Sequence, residues 1–196
     1  MLFLVGKTRD TAYGSHSARF GRSQALCSRV VEQRRGGRKW QSEGEGGVIA
    51  TRAIAAADSA RWLELWDGYN RFYETDLPPR VTEQTLARLL DPATSVIGRI
   101  AEYDGRVAGF SASIVHPSTW EIEPVCYLED LFVDPAARGH GIGRALIEDL
   151  IAQCHERGWS RLYWHTRADN LKARRLYDQF SSADDFVRYR LFRDGR

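Results

Sequence analysis

The sequence of 196 residues lacks the patterns that mark disulfide-rich, metal-binding and membrane-spanning proteins. Its three cysteines, Cys27, Cys126 and Cys154, are far apart and form no CxxC pair, so we expect reduced thiols and neither a disulfide framework nor a zinc site. None of the five histidines belongs to an HxxxH or HExxH pattern, and we predict no metal site. Apolar runs are only a few residues long, whereas a membrane-spanning helix needs about 20. We therefore expect a soluble, cytoplasmic protein.

Basic residues are concentrated at the N-terminus. Residues 1–47 contain nine basic and four acidic residues and eight of the 17 glycines, whereas residues 48–196 contain 19 basic and 22 acidic residues. We predict that residues 1–47 form a basic, Gly/Arg-rich, disordered N-terminal extension and that residues 48–196 form one domain. Three interpretations of the extension stay open, namely a flexible arm, a targeting segment, or translation from a start codon placed too far upstream.

Strand and helix patterns are mixed along residues 48–196. A hydrophobic content of 43% is typical of a folded domain and excludes a disordered chain, a collagen or a coiled coil. The patterns predict strands over Val48–Ala53, Ser95–Tyr103, Arg106–Val115, Val125–Val133, Arg161–Thr166 and Phe186–Phe192, and helices after Asp58, from Thr82 to Leu90, from Gly143 to Arg157 and from Asn170 to Phe180. This order predicts an α/β fold whose first half is largely antiparallel.

A glycine-rich turn, Arg138-Gly139-His140-Gly141-Ile142-Gly143, connects a predicted strand to a predicted helix. Unpaired backbone N–H groups and the helix macrodipole make such a turn suitable for a pyrophosphate. Arg138 and Arg144 add positive charge beside it. A Walker loop is excluded because no Gly-Lys-Ser/Thr follows, and a Rossmann turn is disfavoured because the third glycine comes one residue early. A plain strand-to-helix turn is the alternative.

Several ordered motifs carry a resemblance to the GNAT superfamily of N-acetyltransferases. They are Leu131-Phe132-Val133-Asp134-Pro135, the glycine-rich turn, Asn170, and Leu176-Tyr177. The resemblance implies a GNAT acyl-CoA N-acyltransferase fold, with a mixed central sheet flanked by helices, and acetyl-CoA as acetyl donor without a metal. The stretch Tyr127–Val133 is similar to the spermidine/spermine and related diamine acetyltransferase branch. After Gln179 this chain lacks the glycine and phenylalanine usual in the family, so the acceptor side of the pocket is harder to place.

The resemblance also implies roles for individual residues. The turn would bind the pyrophosphate of acetyl-CoA, the strand would pair with its pantetheine arm, Asn170 would face that arm, and Tyr177 would protonate the departing thiolate. The implied cofactor-binding residues are Leu131, Phe132, Val133, Arg138, Gly139, His140, Gly141, Ile142, Gly143, Arg144 and Asn170.

The chemistry of amine acetylation requires a group that removes a proton from the amine. We predict Glu129 as this base, acting directly or through water. Strand alternation puts Asp130 on the opposite face, unless a bulge changes the pattern. Each assignment has a structural alternative, since Tyr177 would also suit a core position and Asn170 a helix cap. Trp62, Trp66 and Tyr69 are core candidates, and Tyr69 and Tyr73 would alternatively form the floor of a substrate pocket.

Acidic residues around the expected acceptor cleft would attract a cationic acceptor, and the alternative is that they are ordinary solvated surface charges. These are Glu74, Asp76, Glu121, Glu123, Glu129 and Asp130. We expect a small-molecule amine, either a polyamine, a diamine or an amino acid, while a peptide or protein amine is the alternative acceptor. A homodimer is compatible with the resemblance, and nucleic acid and membrane partners are not expected. The alternative function is a non-enzymatic CoA-binding or adaptor domain whose basic arm docks to nucleic acid.

Overall fold

The computed structural model describes residues 39–40 and 47–193. Of the predicted N-terminal extension, only the two-residue strand at 39–40 and Gly47 belong to the described residues. In chain order the strands are β1 (Lys39–Trp40), β2 (Ile49–Ala53), β3 (Val96–Tyr103), β4 (Arg106–His116), β5 (Val125–Val133) and β6 (Arg161–Trp164). The helices are α1 (Ser59–Phe72), α2 (Pro79–Leu90), α3 (Ile142–Arg157) and α4 (Leu171–Tyr177).

Within the described part of the chain, the six strands form one sheet in the order β1 to β6. All neighbouring pairs are antiparallel except β5 and β6, which are parallel. The β3–β4 hairpin turns at Asp104 and Gly105, both with positive φ, as the Asp-Gly pair predicts. The predicted mixed α/β architecture is therefore confirmed.

Helices cover both faces of the sheet. Ile100 of β3 is buried against α1 and α2, whereas the next residue, Ala101, is buried against α3. Because successive strand residues point to opposite faces, α1 and α2 pack on one face and α3 packs on the other. No helix in the described ranges is long and apolar enough to cross a membrane.

A buried carboxylate ties α3 to the sheet. Asp149 of α3 is 2% exposed and accepts hydrogen bonds from Arg99 Nε (2.7 Å), Thr51 Oγ1 (3.0 Å) and Gln153 Nε2 (2.9 Å). A charge without solvent is stable only with such partners. The middle of α3 is thereby fixed relative to β2 and β3.

Strand β5 has two irregularities near its centre. Ala112 of β4 pairs with Asp130 and Ser113 pairs with Leu128, so Glu129 is an extra residue in a β-bulge. Pairing between β5 and β6 covers only Val125–Leu128 of β5. From Glu129 onward, the backbone edge of β5 on the β6 side has no partner strand in the described part of the chain.

The predicted strand over Phe186–Phe192 is wrong, because no helix or strand is found between residues 178 and 193. Phe186, Val187, Tyr189 and Leu191 are each at least 72% exposed. Alternation of apolar and basic residues favours a strand only when a neighbouring strand edge and a packing surface are available. In this structure the segment has neither.

Candidate active site

The glycine-rich turn presents uncovered backbone at the start of α3. Gly139 and Gly141 have φ angles of +93° and +86°, a left-handed conformation that L side chains rarely adopt. No backbone N–H from Gly139 to Arg144 has a hydrogen-bond acceptor among the described residues. The free N–H groups coincide with the positive end of the α3 macrodipole. The turn therefore fits an anionic phosphate group.

Basic side chains are held close to the turn by specific contacts. Arg138 donates a hydrogen bond from Nε to the carbonyl of Val133 (3.1 Å), and its guanidinium lies 5.5 Å from the centre of the Phe132 ring. Arg144 contacts Glu148 (3.6 Å) and Gln179. Arg138 therefore borders the C-terminal end of β5, and Arg144 connects α3 to the residues after α4.

The residues predicted to contact the pantetheine arm lie on the unpaired part of β5. Phe132 is buried against α1, where Gly68 allows its ring to approach the helix backbone. Leu131 and Val133 are half-buried on the α3 side. The free strand edge beside them offers backbone N–H and C=O groups to an extended ligand.

The bulge gives the two carboxylates of β5 different surroundings. Glu129 is exposed, whereas Asp130 is half-buried and interacts with the hydroxyl group of Tyr69. Burial raises the pKa of Asp130 to about 6, and the charge of Glu129 adds to this effect. The interaction with Tyr69 lowers the pKa of Asp130 and so acts in the opposite direction. Asp130 therefore changes its protonation state close to neutral pH.

Tyr73 links Asp130 to Tyr177. It interacts electrostatically with Asp130 and also with Tyr177. Tyr177 is half-buried next to Trp164, with ring centres 5.4 Å apart. Burial raises the pKa of Tyr177 to about 12, so its hydroxyl group stays protonated at neutral pH. A carboxylate with a raised pKa and a protonated tyrosine hydroxyl thus both interact with Tyr73.

Other predicted residues occupy less central positions. Asn170 caps α4 by accepting a hydrogen bond from the N–H of Ala173 (3.4 Å), and its amide donates to Thr166 Oγ1 (3.2 Å). Its predicted cofactor contact stays a prediction. Glu74 interacts with Arg167. Glu121 and Glu123 are found in the loop before β5 and not at the bulge.

Sequence reasoning missed Tyr103 and Tyr127. Tyr103 contacts His140 of the turn, with ring centres 4.7 Å apart. Tyr127 stacks on Tyr163, and its pKa is raised by burial and by the nearby carboxylates. Neither contact has a signal in sequence spacing, because each depends on the register of the sheet. No group of histidine, cysteine and acidic side chains in the described ranges is arranged to hold a metal ion.

Comparison with known proteins agrees with this geometry. Residues 60–181 match the model of the GNAT acetyltransferase family. A D-amino-acid N-acetyltransferase from Saccharomyces cerevisiae is 36% identical over 145 residues, which cover 72% of this chain and 89% of the relative. An uncharacterized N-acetyltransferase from Bacillus subtilis is 32% identical over 140 residues, or 70% of this chain and 93% of the relative.

A solved structure shows the same fold. The ribosomal-protein-alanine N-acetyltransferase from Brucella melitensis superposes with a TM-score of 0.60, covering 74% of this chain and 98% of that chain at 23% identity. The fold and the turn define an acyltransferase, and the chain belongs to the GNAT family of N-acetyltransferases. Enzymes of this family generally take the acetyl group from acetyl-CoA.

Proposed function

We propose that this protein transfers the acetyl group of acetyl-CoA to the primary amine of a small molecule, and that amino acids are its first acceptor class. The observation that carries the proposal is that three features suited to donor, thioester and acceptor follow one another along the molecule. The uncovered N–H groups of the turn are followed by the free edge of β5, and this edge leads to the carboxylates and tyrosines at the bulge.

Donor binding would use the turn and the strand edge. Backbone N–H groups from Gly139 to Arg144 would hold the pyrophosphate, helped by the charges of Arg138 and Arg144. The edge of β5 at Leu131, Phe132 and Val133 would pair with the amide groups of the pantetheine arm. This arrangement brings the thioester towards the bulge.

Acetyl transfer would proceed by direct attack. The nitrogen of the neutral amine forms a bond to the thioester carbon, and the resulting oxyanion is stabilised by a backbone N–H of the free strand edge. The C–S bond then breaks, and Tyr177 gives its hydroxyl proton to the CoA thiolate. The proton lost by the amine passes to a carboxylate at the bulge.

For this carboxylate we favour Asp130. A base works best when its pKa is close to the working pH, and burial raises the pKa of Asp130 to about 6. Glu129, predicted from the sequence, is exposed and stays a prediction for this role. Comparing Glu129→Gln with Asp130→Asn separates them, because replacing the base should lower kcat/KM by about 100-fold. Removing a charge that only attracts the acceptor should mainly raise the acceptor KM.

Support for an amino-acid acceptor comes from charge and from similarity. Carboxylates at the bulge suit the amino group of such an acceptor. The yeast relative acts on D-amino acids, as its name states. Polyamines and diamines belong in the same test, because Tyr127–Val133 resembles the enzymes that acetylate them.

The test is thiol release from acetyl-CoA by the purified full chain in the presence of single acceptors. The panel contains matched D- and L-amino acids, diamines, polyamines and short peptides. We expect amine-dependent release with the highest kcat/KM for an amino acid. A preference for polyamines would overturn the acceptor class, and acetyl-CoA binding without any release would support the non-enzymatic CoA-binding alternative.

A further inference from the structure

The glycine-rich turn is in contact with a tyrosine from a distant part of the sheet. Tyr103, the last residue of β3, stacks on the imidazole of His140 with ring centres 4.7 Å apart and an angle of 28° between the rings. Its hydroxyl oxygen is 3.2 Å from Nδ1 of His140. The same oxygen accepts a hydrogen bond from the backbone N–H of Gly47 (3.1 Å).

The donors and acceptors around the Tyr103 hydroxyl group indicate which ring nitrogen of His140 carries the hydrogen. The N–H of Gly47 can only donate, so it uses one lone pair of the tyrosine oxygen. The hydroxyl proton then has Nδ1 as its acceptor at 3.2 Å. A histidine that accepts at Nδ1 carries its hydrogen on Nε2 when neutral. In residues 47–193, Nε2 of His140 has no hydrogen-bond partner, and the side chain is exposed.

We propose that Tyr103 is a positioning residue that holds His140 in the Nε2–H tautomer, so that this N–H donates to a phosphate oxygen of acetyl-CoA. This inference rests on the proposed function, because it requires the turn to bind the donor. It adds one side-chain hydrogen bond to the backbone N–H groups of the turn and names the residue outside the turn that aims it.

Tyr103 is held by strand pairing on both sides, whereas His140 lies between two glycines. Tyr103 pairs with Ile49 on one side and with Arg106 on the other. His140 is flanked by Gly139 and Gly141, which have few conformational restrictions. Stacking on a fixed ring therefore restricts His140 before the ligand arrives, which reduces the entropy that binding must overcome.

The first test separates the contribution of the Tyr103 hydroxyl group from that of its aromatic ring. Tyr103→Phe keeps the aromatic ring and removes the hydroxyl, and we expect about fivefold weaker acetyl-CoA binding and a similar rise in its KM, with kcat unchanged. The exposed Tyr189→Phe is the matched control and should change neither constant. Acetyl-CoA affinity is measured by calorimetry on the full chain, and KM and kcat by thiol release.

The second test separates the two nitrogens of His140. In His140→Gln the amide nitrogen reaches the position of Nε2, so affinity should be partly retained. In His140→Asn the amide reaches only as far as Nδ1, so affinity should fall as far as in His140→Ala. In the His140→Ala background, Tyr103→Phe should have no further effect on affinity, because the residue that it positions is absent.

The outcomes distinguish this inference from the proposed function. Wild-type protein that binds no acetyl-CoA would refute the donor site itself. If wild type binds acetyl-CoA and Tyr103→Phe binds it equally tightly, only the positioning role is overturned. Equal losses from Tyr103→Phe with and without His140, or a fall in kcat at constant KM, would also overturn it.

Discussion

Replacing Asp130 with asparagine should make the enzyme less active and the fold more stable. The substitution keeps the shape of the side chain and an oxygen that can interact with the hydroxyl group of Tyr69, and it removes the negative charge. A charged carboxylate that is partly removed from water carries a desolvation cost, which asparagine does not. Loss of the negative charge is therefore the cause of both the higher stability and the lower activity.

The size of the stability effect follows from the pKa of Asp130. A carboxyl group whose pKa moves from its ordinary value of 3.8 to about 6 corresponds to about 3 kcal/mol, at about 1.4 kcal/mol for each pH unit. Between pH 4 and pH 6 the folded protein retains a proton that the unfolded chain releases, so the free energy of unfolding falls as pH rises through this window. Because Asp130 is only half-buried, we expect a gain of about 1–2 kcal/mol for Asp130→Asn at pH 8.

Urea unfolding of both proteins at pH 4 and pH 8 measures this difference. We expect similar stability at pH 4, where Asp130 is protonated, and a more stable variant at pH 8. Wild-type kcat/KM should rise as pH increases through about 6, and the variant should lack this rise. A variant that is less stable than wild type at pH 8, or that keeps the same pH dependence, would refute the reasoning.

Three further substitutions test other parts of the account. Tyr177→Phe should lower kcat by about 100-fold with acetyl-CoA affinity nearly unchanged, and an unchanged kcat would exclude the tyrosine as proton donor. Gly141→Glu should abolish acetyl-CoA binding in calorimetry, whereas Gly158→Glu, which has a similar positive φ at the other end of α3, should retain it. Asp149→Asn should lower the free energy of unfolding by about 3 kcal/mol because Arg99 loses its buried charged partner, while the exposed Asp185→Asn should change it by less than about 0.5 kcal/mol in the same urea titration.

The sequence was most informative where local patterns and tertiary structure agree. The apolar stripe of α3 and the glycine at its end predicted a helix to Arg157, and the structure confirms this end. The hairpin at Asp104-Gly105 was predictable because its turn type depends on those two residues alone. The turn at Gly141 was predictable for the same reason.

Features that depend on pairing between distant strands were not predictable. Alternation along β5 separates Glu129 from Asp130, but whether a bulge interrupts it is decided by the register with β4. The contact between Tyr103 and His140 likewise depends on where β3 ends relative to the turn. The segment Phe186–Phe192 has the alternation of a strand, yet the structure provides no edge that pairs with it.

The most direct test of the account is a single thiol-release assay with wild type, Tyr177→Phe and Tyr189→Phe, using acetyl-CoA and the best amino acid of the acceptor panel. We predict amine-dependent CoA release and an N-acetylated product by mass spectrometry for wild type and for Tyr189→Phe, and a rate about 100-fold lower for Tyr177→Phe. Acetyl-CoA binding by all three proteins without an acetylated product from any amine would contradict the proposed function.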